Sequence, residues 1–233
     1  MPSTPQGFAT RLARLKADLV DQGRRVQELV ERAFDAVFDG QGDGEAQVLA
    51  QDEVIDRVDV EMEKASVQLL ADATRQNAAL EPAQLRRVLT IVKVNNELER
   101  IADAGVAIAS HAAQLKAAGP LPGTLRVMAN SVIGIIRDAN AALDGDDPEL
   151  AKIVLASEDA VLEFKRALVR DAHQRLCRGE ASVDLAFSLA EIAGACDDMA
   201  DHCTNIAEQI IYQATGAVVR HMPGHWEEFT PRG

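Results

Sequence analysis

Seven small or apolar positions recur in the same three-and-four rhythm 98 residues apart. Ile91, Val94, Leu98, Ile101, Gly105, Ile108 and Ala112 are matched by Leu189, Ile192, Cys196, Met199, Cys203, Ile206 and Ile210. Steps of three and four put side chains on one stripe of an α-helix, so both segments read as helices that bury one face. A second overlay, at 106 residues, lays Val48-Leu49-Ala50-Gln51-Asp52-Glu53 on Val154-Leu155-Ala156-Ser157-Glu158-Asp159. The turn sequences D-G-Q-G-D-G (39–44) and D-G-D-D-P (144–148) nearly coincide in that frame. The two shifts differ by eight residues, which fall in a longer loop of the first half. Repeated helix phase of this kind marks an internal duplication of a three-helix unit.

The first unit opens on a heptad-like seam, Phe8, Leu12, Leu15, Leu19, Val26, Val30, Ala33 and Val37, suited to antiparallel bundle packing. The spacing and the Gly/Pro breaks predict helices over about 8–38, 45–76, 82–118, 124–143, 149–178 and 183–215. Two prolines and two glycines in G-P-L-P-G (119–123) cannot continue a helix and divide the set three and three. The expected fold is all-α: six long helices in two tandem, pseudo-symmetric three-helix bundles, residues 1–118 and 119–216, with a tail over 217–233. Aromatics at 3% against 47% hydrophobic residues fit helix packing better than a β-sandwich.

Twenty-four basic and thirty-seven acidic residues give 24 − 37 = −13, which argues against a nucleic-acid partner. Three cysteines, Cys177, Cys196 and Cys203, are too few and odd in number for a disulfide framework. M-P-S-T-P-Q-G-F lacks the basic region and hydrophobic run of a secretory signal, and no stretch reaches the length of a membrane span. The expectation is a soluble, cytoplasmic protein that meets membranes only through partners.

Chemistry concentrates in repeated acidic turns. Glu99 and Asp103 in the first half return as Asp197 and Asp201 in the second, each pair one helical turn apart and just beside the core seam. Asn205 and Glu208 continue the second column, and Asp52 and Asp56, with Asp59 and Glu63 beyond them, form another on the second helix. Like charges at this spacing destabilise an isolated helix by about 0.2–0.5 kcal/mol per pair unless a cation answers them. Two such columns facing each other would converge oxygens suited to hard cations such as magnesium, manganese, calcium or ferric iron. Spacing alone favours solvated acidic faces paired with Arg57, Lys64 or Arg100, and the recurrence of the pair in both repeats brings the two readings level.

Cys196 and Cys203 sit at seam positions and read as core packing rather than as ligands beside His202. Pro223 and Gly224 spoil the helical geometry that His221 and His225 would need to share a zinc ion, and His111 and His173 stand alone. A phosphate-binding glycine loop, a nucleophile elbow and Glu-x-x-His are all missing from the sequence. No catalytic residue and no organic cofactor site is assigned, and an enzyme is the weaker expectation.

L-E-R-I-A-D (98–103) and D-D-M-A-D-H-C-T-N-I-A-E (197–208), each closing a three-helix unit, resemble the paired E(D)xxxD signatures of the PhoU family. The F-x3-L-x2-L opening, E-P-A-Q-L-R (81–86) and the tail I-Y-Q-A-T-G-A-V-V-R-H add to the likeness, which spans about residues 8–221. The resemblance implies a PhoU-like pair of bundles and a homodimer. It further implies a negative regulator of phosphate uptake and phosphate-starvation signalling: an adaptor between the ATPase subunit of the high-affinity phosphate ABC transporter and a phosphate-sensing histidine kinase. It also implies divalent or trivalent metal ions (iron, zinc, manganese or magnesium) on Glu99, Asp103, Asp197, Asp201, Asp52, Asp56, Asn205 and Glu208. The alternative is a metal-storage bundle or a metal-dependent enzyme built on the same carboxylates. Departures fall in both units: in the second, Asp198 stands where the family has arginine and Leu162 replaces the second acid of the fifth helix, and in the first, Ala107-Ile108-Ala109-Ser110 lacks the asparagine and glutamate found at 205 and 208. In the first unit, Gln84 also replaces the aspartate of D-L-R.

Overall fold

The computed structural model describes residues 7–39, 43–118, 120–222 and 225–229. In chain order its elements are α1 (Phe8–Asp39), α2 (Gly44–Arg75), α3 (Pro82–Ser110), α4 (Ala112–Ala118), α5 (Gly123–Gly145), α6 (Pro148–Cys177), α7 (Val183–Thr215), β1 (Val218–Met222) and β2 (His225–Phe229). Six of the helices are long, as the hydrophobic period predicts. The turn residues at 40–42, Gly119 of the G-P-L-P-G boundary and the first six residues lie outside the described set.

Helix ends follow local chemistry. Pro82 occupies the first turn of α3, and the Glu81 N–H donates to Gln84 Oε1 at 3.0 Å, so the glutamine that departs from the family's D-L-R closes the helix start. At the start of α6, Asp147 Oδ1 accepts from the Glu149 and Leu150 N–H groups at 2.9 and 3.1 Å. The Ser182 hydroxyl accepts from the Leu185 N–H at 3.1 Å and starts α7.

Within each repeat the three long helices pack on one another, α1 with α2 and α3, and α5 with α6 and α7. Between repeats α3 packs on α7 and α1 on α5, so one continuous apolar core serves both halves. Every residue of the α1 seam is buried, as are all seam residues of α3 and α7. Cys196 and Cys203 are fully buried among them, and burial pushes the Cys196 thiol up to about 12 and the Cys203 thiol higher still. Gly23 lets Asn140 of α5 come close to α1: the Asn140 side-chain amide donates to the Gly23 carbonyl at 2.9 Å, where a Cβ would collide with it.

Two features differ from the periodicity. The third helix does not run unbroken to Ala118 but stops at His111, where α4 begins. His111 is drawn toward α7, with Nδ1 at 3.2 Å from Ser188 Oγ and Nε2 at 3.1 Å from Glu191. Leu115, one turn on, is then buried in the core. The tail carries a two-stranded antiparallel pairing in which Val218 faces Phe229 and Met222 faces His225. His221 and His225 therefore lie on extended backbone, without the helical register of a zinc pair.

Candidate metal-binding face

Helices α2 and α3 present their acidic columns to each other. Asp52, Asp56 and Asp59 come from α2, Glu99 and Asp103 from α3, all beside the buried seam. Burial and then the charges of Asp56 and Asp103 carry the Asp52 carboxyl from its ordinary 3.8 to about 6. Asp59 is raised by burial, Glu63 and Asp56, against a lowering hydrogen bond from Asn95. Glu99 is raised by burial and by Asp103, Asp59 and Asp56, and Asp103 by burial and Asp56, while Arg100 opposes both shifts. Each helix thus raises the carboxylates of the other, which happens only when the two columns share a face.

Two further details mark this face. The buried Asp52 Oδ1 has no hydrogen-bond partner. Asn95, itself buried in α3, donates through Nδ2 to Asp59 Oδ1 at 2.6 Å and to the Asp59 carbonyl at 3.2 Å, anchoring one acid of the cluster. Among the described residues no three Asp, Glu, His or Cys side chains close on one point in the way metal ligands do. The carboxylates are spread along the face, near enough to repel. All-oxygen side chains with an orphaned buried acceptor are the donor chemistry that hard cations take, although Arg100 offsets part of their charge and they do not converge on one point.

The raised carboxyls fix a sign for pH. A carboxyl whose folded pKa exceeds its unfolded value makes the folded state bind more protons between the two, so stability falls as pH rises through that window. For Asp52 the window runs from 3.8 to about 6. Chelator-treated protein should therefore lose melting temperature from pH 4 to pH 7 more steeply than Asp52→Asn, measured by thermal unfolding. Parallel curves for the two proteins would refute the coupling.

The second repeat is arranged differently. Asp197 of α7 meets Lys165 of α6, Nζ to Oδ2 at 2.8 Å. Asp201 is exposed and lines a cleft that Asn205 and Glu208 also line, together with Lys93, Glu97 and Arg220. Glu208 pairs with Arg220 at 2.7 Å, and the Asn205 amide donates to Glu97 Oε2 at 3.3 Å. His202 Nδ1 lies 2.8 Å from the same Glu97 oxygen, across the junction between repeats. Burial would raise Glu97, but the His202 hydrogen bond and charge, Asn205 and Arg100 together hold it below its ordinary value. Asn205 and Glu208 thus serve the α3–α7 junction and the β1 strand, whereas Asp197 serves α6.

Spacing had placed all four on one column. It could not say which neighbouring helix each would meet, because Asp197 and Glu208 lie three turns apart. Lys165 and Asn95 were missed altogether. The 106-residue overlay would have found Lys165, since it falls on Asp59 in that frame.

The fold and this face define a class: a duplicated three-helix-bundle protein with an acidic helix–helix face beside its core. Residues 19–112 and 125–210 match the PhoU domain, one copy for each repeat. The chain belongs to the PhoU family. It is 30% identical over 212 residues to the "Phosphate-specific transport system accessory protein PhoU homolog 1" of Thermotoga maritima, covering 90% of this chain and 89% of that one. It is 30% identical over 221 residues to the PhoU homolog of Pseudomonas putida, covering 93% of this chain and 84% of the other. The solved structure of the phosphate transport system regulatory protein PhoU from Streptococcus pneumoniae superposes with a TM-score of 0.83 at 22% identity, over 91% of this chain and 99% of that one.

Proposed function

We propose that this protein is a negative regulator of phosphate uptake and of phosphate-starvation signalling. The observation that carries the reading is family membership across both repeats, together with full-length relatives named as accessory proteins of the phosphate-specific transport system. Those relatives are named for an accessory role, which supports a regulator that is not an enzyme.

In this reading the chain works in the cytoplasm as an adaptor between the transporter's ATPase subunit and a phosphate-sensing histidine kinase, and it pairs with a second copy of itself. No helix among the described residues is long and apolar enough to cross a membrane, which fits an adaptor that reaches the membrane through its partners. Exposed Val60 and Val67 on α2 and Val183 and Phe187 on α7 offer apolar surface to such contacts. Asp52, Asp56, Glu99 and Asp103, with Asp59 beside them, would hold a divalent or trivalent cation between α2 and α3. The cation would supply positive charge that quiets their mutual repulsion and fixes the two helices relative to each other.

Deleting the gene tests the regulatory reading. Phosphate-starvation genes should then be expressed, and phosphate uptake should rise, in cells grown with ample phosphate. Unchanged expression and uptake would overturn it.

A further inference from the structure

The two repeats do not answer their acidic faces in the same way. In the 106-residue frame, Asp52, Asp56 and Asp59 of α2 fall on Glu158, Leu162 and Lys165 of α6. In the 98-residue frame, Glu99 and Asp103 of α3 fall on Asp197 and Asp201 of α7. The first face therefore carries five carboxylates, whereas its counterpart carries three and a lysine. That lysine is not a surface bystander: its Nζ sits 2.8 Å from Asp197 Oδ2, with the two side chains only 33% and 23% exposed. Asp198, at the place of Arg100, returns one negative charge, but it is exposed on the rim. Leu162 removes the second acid of α6 and puts an apolar, half-buried side chain in its place.

We infer that Lys165 is a built-in cation that closes the second repeat's acidic face, so that this chain takes metal at the first repeat alone. The inference deepens the metal reading of the first face. On the first face no lysine stands at the place of Lys165, where α2 carries Asp59 instead, and Arg100 of α3 offsets only part of the charge of Glu99 and Asp103, which leaves room for a bound ion. In the second repeat an ammonium tethered to α6 already neutralises Asp197. A metal ion would have to displace that ammonium from a charge-assisted pair, and would find only two other carboxylates once it had done so. An otherwise duplicated molecule thus holds one exchangeable and one permanent cation.

The test is metal stoichiometry in the full chain, stripped with chelator, dialysed against manganese chloride alone and assayed for bound Mn²⁺, with circular dichroism to verify folding. Asp197→Asn with Asp201→Asn should leave bound manganese at the wild-type value, whereas Asp56→Asn with Asp103→Asn should lose it. Leu162→Asp with Lys165→Asp should raise bound manganese from the content of one face to that of two. Loss of manganese in the Asp197/Asp201 variant, or no gain in the Leu162/Lys165 variant, overturns the inference. Should the wild type bind no manganese, the metal reading of the first face fails. A gain in Lys165→Gln alone, which removes the ammonium without adding a carboxylate, would then still show that Lys165 closes the second.

Discussion

Manganese added to the chelator-stripped protein should raise its melting temperature, and Asp56→Asn with Asp103→Asn should abolish the rise. Burial, and then the charges that face one another across α2 and α3, raise the carboxyl pKa values of the cluster. A cation bound there stabilises only the folded chain. At about one hundred times its dissociation constant, such a ligand contributes about 2.7 kcal/mol. For a domain of this size each kcal/mol moves the midpoint by about 2–4 °C, so the rise should be roughly 5–10 °C. Without metal the same double substitution should make the protein more stable at neutral pH, because it removes burial cost and repulsion that Arg100 offsets only in part. Thermal unfolding with and without manganese reads both effects. Equal shifts in wild type and variant would place the bound metal elsewhere.

Gly105→Leu should be among the most damaging single substitutions in the first repeat. Gly105 lies on the buried side of α3, and a Cβ added there would come within 2.5 Å of Leu29 Cδ2 on α1. Leu29 is completely buried, so it has little room to move aside. Overpacking a filled core costs about 1–3 kcal/mol and sometimes more. The second repeat carries Cys203 at the matching position, so the small residue answers Leu29 rather than a demand of the bundle as such. Leu29→Ala alone should cost about 2–5 kcal/mol, chiefly through the cavity it leaves. The two changes fill and empty the same space. Their combination should therefore be less destabilising than the sum, with a coupling of about 0.5–3 kcal/mol in denaturant unfolding. Strict additivity would mean that the two side chains do not compete.

These expectations differ in how far the sequence alone supports them. The seams of α1, α3 and α7 were legible because a helix exposes its burial pattern as a period, and duplication repeated the pattern in phase. Helix starts at Pro82 and Ser182 were legible from local chemistry. The stop at His111 was not, since A-S-H-A-A contains no breaker and the interruption accompanies contacts with Ser188 and Glu191 on a distant helix. The tail strands were hidden in a short segment whose apolar residues show no helical period. For the candidate site, the columns were visible one helix at a time. The meeting of Asp52 with Asp103 depends on the packing of α2 against α3. The diversion of Glu208 to Arg220 depends on where β1 returns across α7. Tertiary packing decides which columns converge, and periodicity does not encode it.

The link between the acidic face and regulation can be measured by complementation. In a strain lacking this protein and grown with ample phosphate, the wild-type chain should return phosphate-starvation gene expression to its repressed level. The Asp56→Asn/Asp103→Asn chain, accumulated to the same amount, should leave those genes expressed. Full repression by that variant would contradict a regulatory role for the cation between α2 and α3.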